Sequence, residues 1–248
     1  MAFGLKKVFG KRRRPEEIEA DRAEIIPDAR VYDIVDSYKN QSKQLGDHFI
    51  SENREWERLR ELRVDAFAAR HPNGYRPHDV FTEMPIVPVD PDHMPKTVRL
   101  KKTAPETLPE FSLFNGIRIV SQRVHDAVRD LEPGRHRFFP LTVTRHDDSA
   151  SDRYYFVQFL EQTDCVCLPL SGFRQKTSPN GVPYWAAPAE RKQIYYLWAD
   201  CVGDRHMFRD RRARGGVIVS QKLVDALGDF LPRGIELVEN GLLRRKEH

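Results

Sequence analysis

The 248-residue sequence contains no apolar run approaching the roughly 18 residues of a membrane-spanning helix, and its N-terminus lacks the apolar stretch of a secretory leader. Cysteine is scarce: Cys165, Cys167 and Cys201 are the only three, and they do not make a disulfide framework. These absences set a reducing, bacterial-type cytoplasm as the expected compartment. The chain also lacks a G-x-G-x-x-G fingerprint, a phosphate-loop lysine motif, a G-x-S-x-G elbow and a C-x-x-C knuckle. Nucleotide cofactors have no support, and the expected cofactor complement is none. What is present is ordinary for a soluble protein: 40% hydrophobic and 31% charged residues, enough chain for one large domain or two small ones.

The formal net charge of +4 is unevenly spread. Residues 1–14 carry six cations (Lys6, Lys7, Lys11, Arg12, Arg13, Arg14) and no acid, which leaves the body with 35 basic and 37 acidic residues. Such an arm can hold a phosphate backbone or an anionic membrane surface. The plainer reading is a solvated end. Residues 15–28, charged and holding Pro15 and Pro27, read as a linker.

Residues 30–36 alternate in the manner of a strand, and Ser37 to Arg70 turns helical, with Phe49, Trp56, Leu59, Leu62 and Phe67 on one face. Residues 71–77 stop that helix with Pro72, Asn73 and Gly74. Six prolines between residues 78 and 112 rule out regular helix there and point to an extended wrap packed on the body through Met84, Ile86, Val87, Val89 and Leu100. Strand-like runs then crowd together at 137–143, 153–160, 165–170, 194–200, 217–220 and 234–239. The expected fold is α+β, with a mostly antiparallel sheet and an N-terminal helical region.

One stretch occurs twice. "IVSQRVHDAVRDLEP" from Ile119 and "IVSQKLVDALGDFLP" from Ile218 share eight identities at an offset of 99. Each starts in a strand-like run and then places a serine, Ser121 or Ser220, where it can cap a helix. The apolar stripes match: Val124, Ala127, Val128, Leu131 in one and Leu223, Ala226, Leu227, Phe230 in the other. Pro133–Gly134 and Pro232–Gly234 close them, and a strand follows each. The unit is strand, capped helix, strand, twice over, and local physics accounts for nearly every shared position. Neither serine sits in a nucleophile's setting.

Candidate chemistry is sparse. Cys165, Cys167, Cys201 and His206 include the residue types of a zinc site, but a C-x-C on a strand more simply puts two small thiols on one buried face. The segment 203–210, "GDRHMFRD", gathers His206, Arg209 and Asp210 beside Met207–Phe208. An acid–base pair of His206 and Asp210, with Arg209 on an anion, is the catalytic reading. Polar ties to neighbouring backbone are the structural one, and contact with a partner the third. Tyr184 and Trp185, on what reads as a long loop over 174–193, offer aromatic anchors for an interface. Alternatively, Trp185 folds back over the sheet.

The order of these pieces resembles the immunity protein family numbered eleven of bacterial polymorphic toxin systems. The matching stretches are "MPKTVRLKK" (94–102), "IVSQRVHDAVRDLEPGRHRFFPLTV" (119–143), "YYFVQFLEQTDC" (154–165), "RHMFRD" (205–210) and "VIVSQKLVDAL" (217–227). The resemblance runs from about residue 30 to the end and departs at Phe208, where the family commonly has tryptophan. It implies a cytoplasmic α+β protein that neutralises a co-encoded toxin by binding it, without catalysis and without a small-molecule substrate. The expected layout is a basic arm and linker at 1–28 and one immunity-type domain at 29–248. The expected partner-binding residues are Tyr184, Trp185, His206, Arg209 and Asp210. Two other functions stay open: a nucleic-acid or anionic-surface binder that uses the arm, and a hydrolase centred on His206 and Asp210.

Overall fold

The computed structural model describes residues 23–36, 89–106, 108–114, 117–177, 183–186, 194–211, 216–228 and 235–245. The basic arm at 1–14, the helix expected over 37–70 and its stop at 71–77 lie outside the described residues. So do Met84, Ile86, Val87, Phe230 and Pro232.

The protein is α+β and rich in sheet. The strands are β1 (Ala23–Asp36), β2 (Thr97–Arg99), β3 (Phe111–Phe114), β4 (Ile117–Ser121), β5 (His136–Thr144), β6 (Ser151–Phe159), β7 (Arg174–Thr177), β8 (Pro183–Ala186), β9 (Tyr196–Trp198), β10 (Met207–Phe208), β11 (Val217–Ser220) and β12 (Ile235–Arg245). The helices are α1 (Gln122–Leu131), α2 (Ala199–Val202) and α3 (Gln221–Leu227), with a 3-10 turn at Pro91–His93. No helix among the described residues is long and apolar enough to cross a membrane.

Two five-stranded sheets form, and they are wired alike. The first has the order β2-β5-β6-β4-β3; the second, read from its far edge, is β9-β12-β1-β11-β10. In each, the first pair is parallel (β2 with β5, β9 with β12) and the other three pairs are antiparallel. The registers superpose too: Val120 pairs with Phe111 and Tyr155, as Val219 pairs with Met207 and Tyr32. The doubled sequence is thus the visible part of a doubled fold. One difference is order. In the first sheet the central strand β6 follows β5 through a hairpin, whereas in the second the same place is filled by β1 from the front of the chain.

Both faces of both sheets are buried. A central core takes Phe111, Val120, Tyr155, Val157 and Phe159 from the first sheet and Met207, Val217 and Val219 from the second. The helix faces Val124, Val128, Leu223 and Leu227 join the same core. The far face of the first sheet (Ile117, Ile119, Phe139, Leu141, Phe156) is covered by residues 89–108 through Val89, Met94, Leu100 and Leu108. The far face of the second (Val31, Leu197, Phe208, Ile218) is covered by Cys165, Val166, Leu168 and Phe173. The proline-rich stretch therefore packs as expected over the residues described.

Several expectations are corrected. β1 begins at Ala23 rather than residue 30, and its register shifts between Ile25 and Arg30, around Pro27. The run 165–170 is not a strand. Pro169 and the turns around it prevent one, and only an isolated bridge, Val166 to Leu197, remains. Residues 194–200 give a strand of three residues and then α2. The supposed long loop contains the β7–β8 hairpin. Cys165 and Cys201 are disulfide-bonded, and Cys167 is a buried free thiol. The two sulfurs of the C-x-C lie in different apolar clusters, on a segment that is not a strand.

Candidate functional site

The serines are built as helix caps. Ser121 Oγ accepts from the Val124 amide at 3.3 Å, and Ser220 Oγ accepts from the Leu223 amide at 3.2 Å. Each serine also ties to the neighbouring edge strand. Ser121 N–H donates to the Glu110 carbonyl at 2.9 Å, and its hydroxyl donates to the Glu110 carboxylate. Ser220 N–H donates to the His206 carbonyl at 3.0 Å, and its hydroxyl meets His206 Nδ1 at 2.8 Å. His206 in one half and Glu110 in the other thus occupy matching places. A serine–histidine contact whose counterpart is serine–glutamate is explained by holding the cap to the strand.

The same doubling extends to side chains the sequence did not single out. Tyr155 Oη donates to Gln122 Oε1 at 2.7 Å, and Gln122 Nε2 donates to Asp126 at 2.8 Å. In the other half, Tyr32 Oη donates to Gln221 Oε1 at 2.5 Å and Gln221 Nε2 donates to Asp225 at 2.6 Å. The hydrogen bond from Gln122 holds the Asp126 carboxyl below the usual range, with His125 and Arg129 adding to it. The visible signal was the identity of Gln and Asp in both repeats, polar positions that an apolar stripe does not require.

Glu132 is the other residue sequence reasoning missed. It is 4% exposed at the C-cap of α1. Its Oε2 accepts from the His206 amide at 2.8 Å, and its Oε1 accepts from the Met207 amide at 2.8 Å. His136 Nε2 sits 2.8 Å from the same Oε1. One buried carboxylate therefore clamps the end of the first helix to the entrance of β10, in the second sheet.

The 203–210 segment alternates. Met207 enters the central core and Phe208 the outer one. Asp210, 3% exposed, also points outward: its Oδ2 accepts from Thr163 Oγ1 at 2.9 Å and from the amides of Cys165 at 2.5 Å and Val166 at 3.2 Å. It is the anchor of the covering loop. No hydrogen bond joins Asp210 to His206, so the two are not assembled as an acid–base pair. The Arg209 carbonyl accepts from Thr163 N–H at 2.9 Å, while its side chain turns back toward the central core beside Arg118. Burial, with the like charge of Arg118 second, pulls the Arg209 guanidinium down to about 10.

Trp185 is half-buried against the outer core that holds Phe173 and Tyr195, so it does fold back on the body. Tyr184 pairs with Lys176 in the β7–β8 hairpin. The structure puts His206 at the entrance of β10 and Arg209 and Asp210 at its exit. Trp185 and Arg209 lie on opposite sides of the second sheet. Cys165, Cys167, Cys201 and His206 do not form a ligand set. Among the described residues, no group of three or more His, Cys, Asp or Glu is placed to hold a metal.

This is an α+β protein of two similarly wired sheets that a buried carboxylate, Glu132, ties together. Residues 30–241 match the model of the Immunity protein family (Imm11), and the chain belongs to that family. A comparison with curated proteins finds no match.

Proposed function

We propose that the chain neutralises a toxin encoded beside it by binding that toxin stoichiometrically in the cytoplasm, and that it protects without turnover. Membership of the immunity family over residues 30–241 carries this reading. The placement of the candidate catalytic groups supports it: Ser121, Ser220 and Asp210 each accept from backbone amides, and the His206 ring is engaged by the cap hydroxyl of Ser220. On this reading residues 29–248 act as one binding domain. Contact falls on Trp185 and Tyr184 of the hairpin and on Arg209, while His206 and Asp210 keep the segment in place.

The test is co-expression with the C-terminal domain of the neighbouring toxin, followed by pull-down and titration. A folded one-to-one complex, with protection ending once toxin exceeds the inhibitor, is the expected result. Protection that persists beyond that point with no detectable complex would mean an enzyme that reverses the damage, and would overturn the proposal.

A further inference from the structure

We propose that Arg209, assisted by Arg118, is a receptor for a carboxylate presented by the bound partner, an inference that rests on the toxin-binding function proposed above. The argument begins with position. β3 and β10 are the terminal strands on the matching edges of the two sheets. Arg118 lies on β4 opposite Leu113 of β3, two residues before Val120 and so on the same face, which enters the central core. Arg209 follows β10 two residues after Met207, which enters that core as well, while Phe208 and Asp210 between and after them turn outward. The two arginines, one from each sheet, therefore face the space between the sheets, where the charge of Arg118 acts on Arg209. Arg118 is 7% exposed, and Arg209 is partly exposed at the edge.

The nearby carboxylates are committed elsewhere. Asp210 serves Thr163, Cys165 and Val166; Glu132 serves His206, Met207 and His136; Asp164 takes Arg211; Glu161 takes Arg135 and Arg205. Arg118 has polar contacts of its own, but the Arg209 guanidinium makes no hydrogen bond or ion pair with a described residue. A partly buried cation that feels the like charge of a second arginine is costly to keep. An incoming carboxylate would remove that cost. It would accept the parallel N–H donors of one guanidinium and be held by the field of both, and arginine is favoured at interface centres for this reason.

Arg209→Met, which keeps length and removes charge, separates this role from a structural one. The expected result is a melting temperature equal to or above the parent's, together with toxin binding at least tenfold weaker; Arg209→Lys should retain part of the affinity. A second arm uses acetate as the probe. Sodium acetate should raise the parent's melting temperature above that in sodium chloride of equal ionic strength, and should not do so for Arg209→Met. Toxin affinity within twofold of the parent's, or a melting temperature several degrees lower in the variant, overturns the receptor, as does an equal acetate effect on both proteins. If the parent itself fails to bind toxin, the proposed function falls, and the acetate comparison alone decides the receptor.

Discussion

At the scale of single residues, buried carboxylates do the work that the sequence offered no local way to see. Glu132 accepts two backbone amides some 75 residues away and pairs with His136, with both side chains almost wholly buried. Removing one member of such a pair leaves donors without partners. Glu132→Ala should therefore cost about 3–5 kcal/mol, read from urea unfolding, and Glu132→Gln should cost less. A loss below about 1 kcal/mol for the alanine variant would show that water replaces the clamp. Asp126, partly exposed and bonded within its own helix, makes a separate, pH-dependent case. Its folded pKa lies below the ordinary 3.8, chiefly through the Gln122 hydrogen bond. Its contribution is thus present above the unfolded carboxyl's pKa and lost as pH falls through the lower folded value. Gln122→Ala should move the Asp126 titration, followed by NMR, upward toward 3.8, and should leave stability at neutral pH lower relative to that in acid. An unmoved titration would assign the shift to His125 instead. Roles of this kind are illegible in advance because a carboxylate satisfying a distant amide leaves no periodicity, whereas the cap serines were legible because their partners are three residues away.

At the scale of elements, the two capped helices were readable and the sheet edges were not. Stripe, serine and strand on either side are all local, and the helices form over Gln122–Leu131 and Gln221–Leu227 with Val124, Val128, Leu223 and Leu227 buried. Each cap serine makes a further bond to the next strand, so Ser121→Ala and Ser220→Ala should each cost about 1–2 kcal/mol. Val128→Asp and Leu227→Asp place an unpaired charge in the core shared by both sheets and should cost several kcal/mol. Thermal melts decide it: aspartate variants that melt within a degree or two of the parent would remove these faces from the core. The run 165–170 fails as a strand where Pro169 and its turns interrupt it, and its amides find tertiary partners. Residues 165–166 give their amides to Asp210, and the disulfide joins Cys165 to Cys201 across 36 residues. At Gly241 a β-carbon would lie 2.7 Å from the ring of Tyr196 on the adjacent parallel strand, a requirement for glycine that only the pairing of β12 with β9 reveals.

At the scale of the whole molecule, the second half is a rearranged copy of the first. In the first, β5 turns into β6 through residues 145–150, with Thr144 pairing with Ser151. In the second, the same antiparallel junction lies between β12 and β1, where Arg245 pairs with Ala23. The doubled helix signalled a repeat in the sequence. That β1 completes the second copy did not show, because pairing between residues 23–36 and 235–245 is as non-local as this chain allows. The geometry predicts a tolerated circular permutation. Joining His248 to Met1 and opening the chain between Asp36 and Ser37 puts β1 after β12, so both halves run through their strands in one order. Ala23 and Arg245, which the joined segment would connect, pair on neighbouring strands, and the loop-closure term grows only slowly with the length of the joining segment. The permutant should unfold in one cooperative step, with a melting temperature within about 5 °C of the parent's, roughly a 1–2.5 kcal/mol change for a domain of this size. It should also keep binding the toxin. By contrast, deleting residues 1–36 removes a central strand and exposes the edges of β11 and β12, and that chain should aggregate or lose the second half's cooperative transition. A permutant that fails to fold while the deletion variant folds would mean that β1 is an added strand and not the missing piece of a second copy.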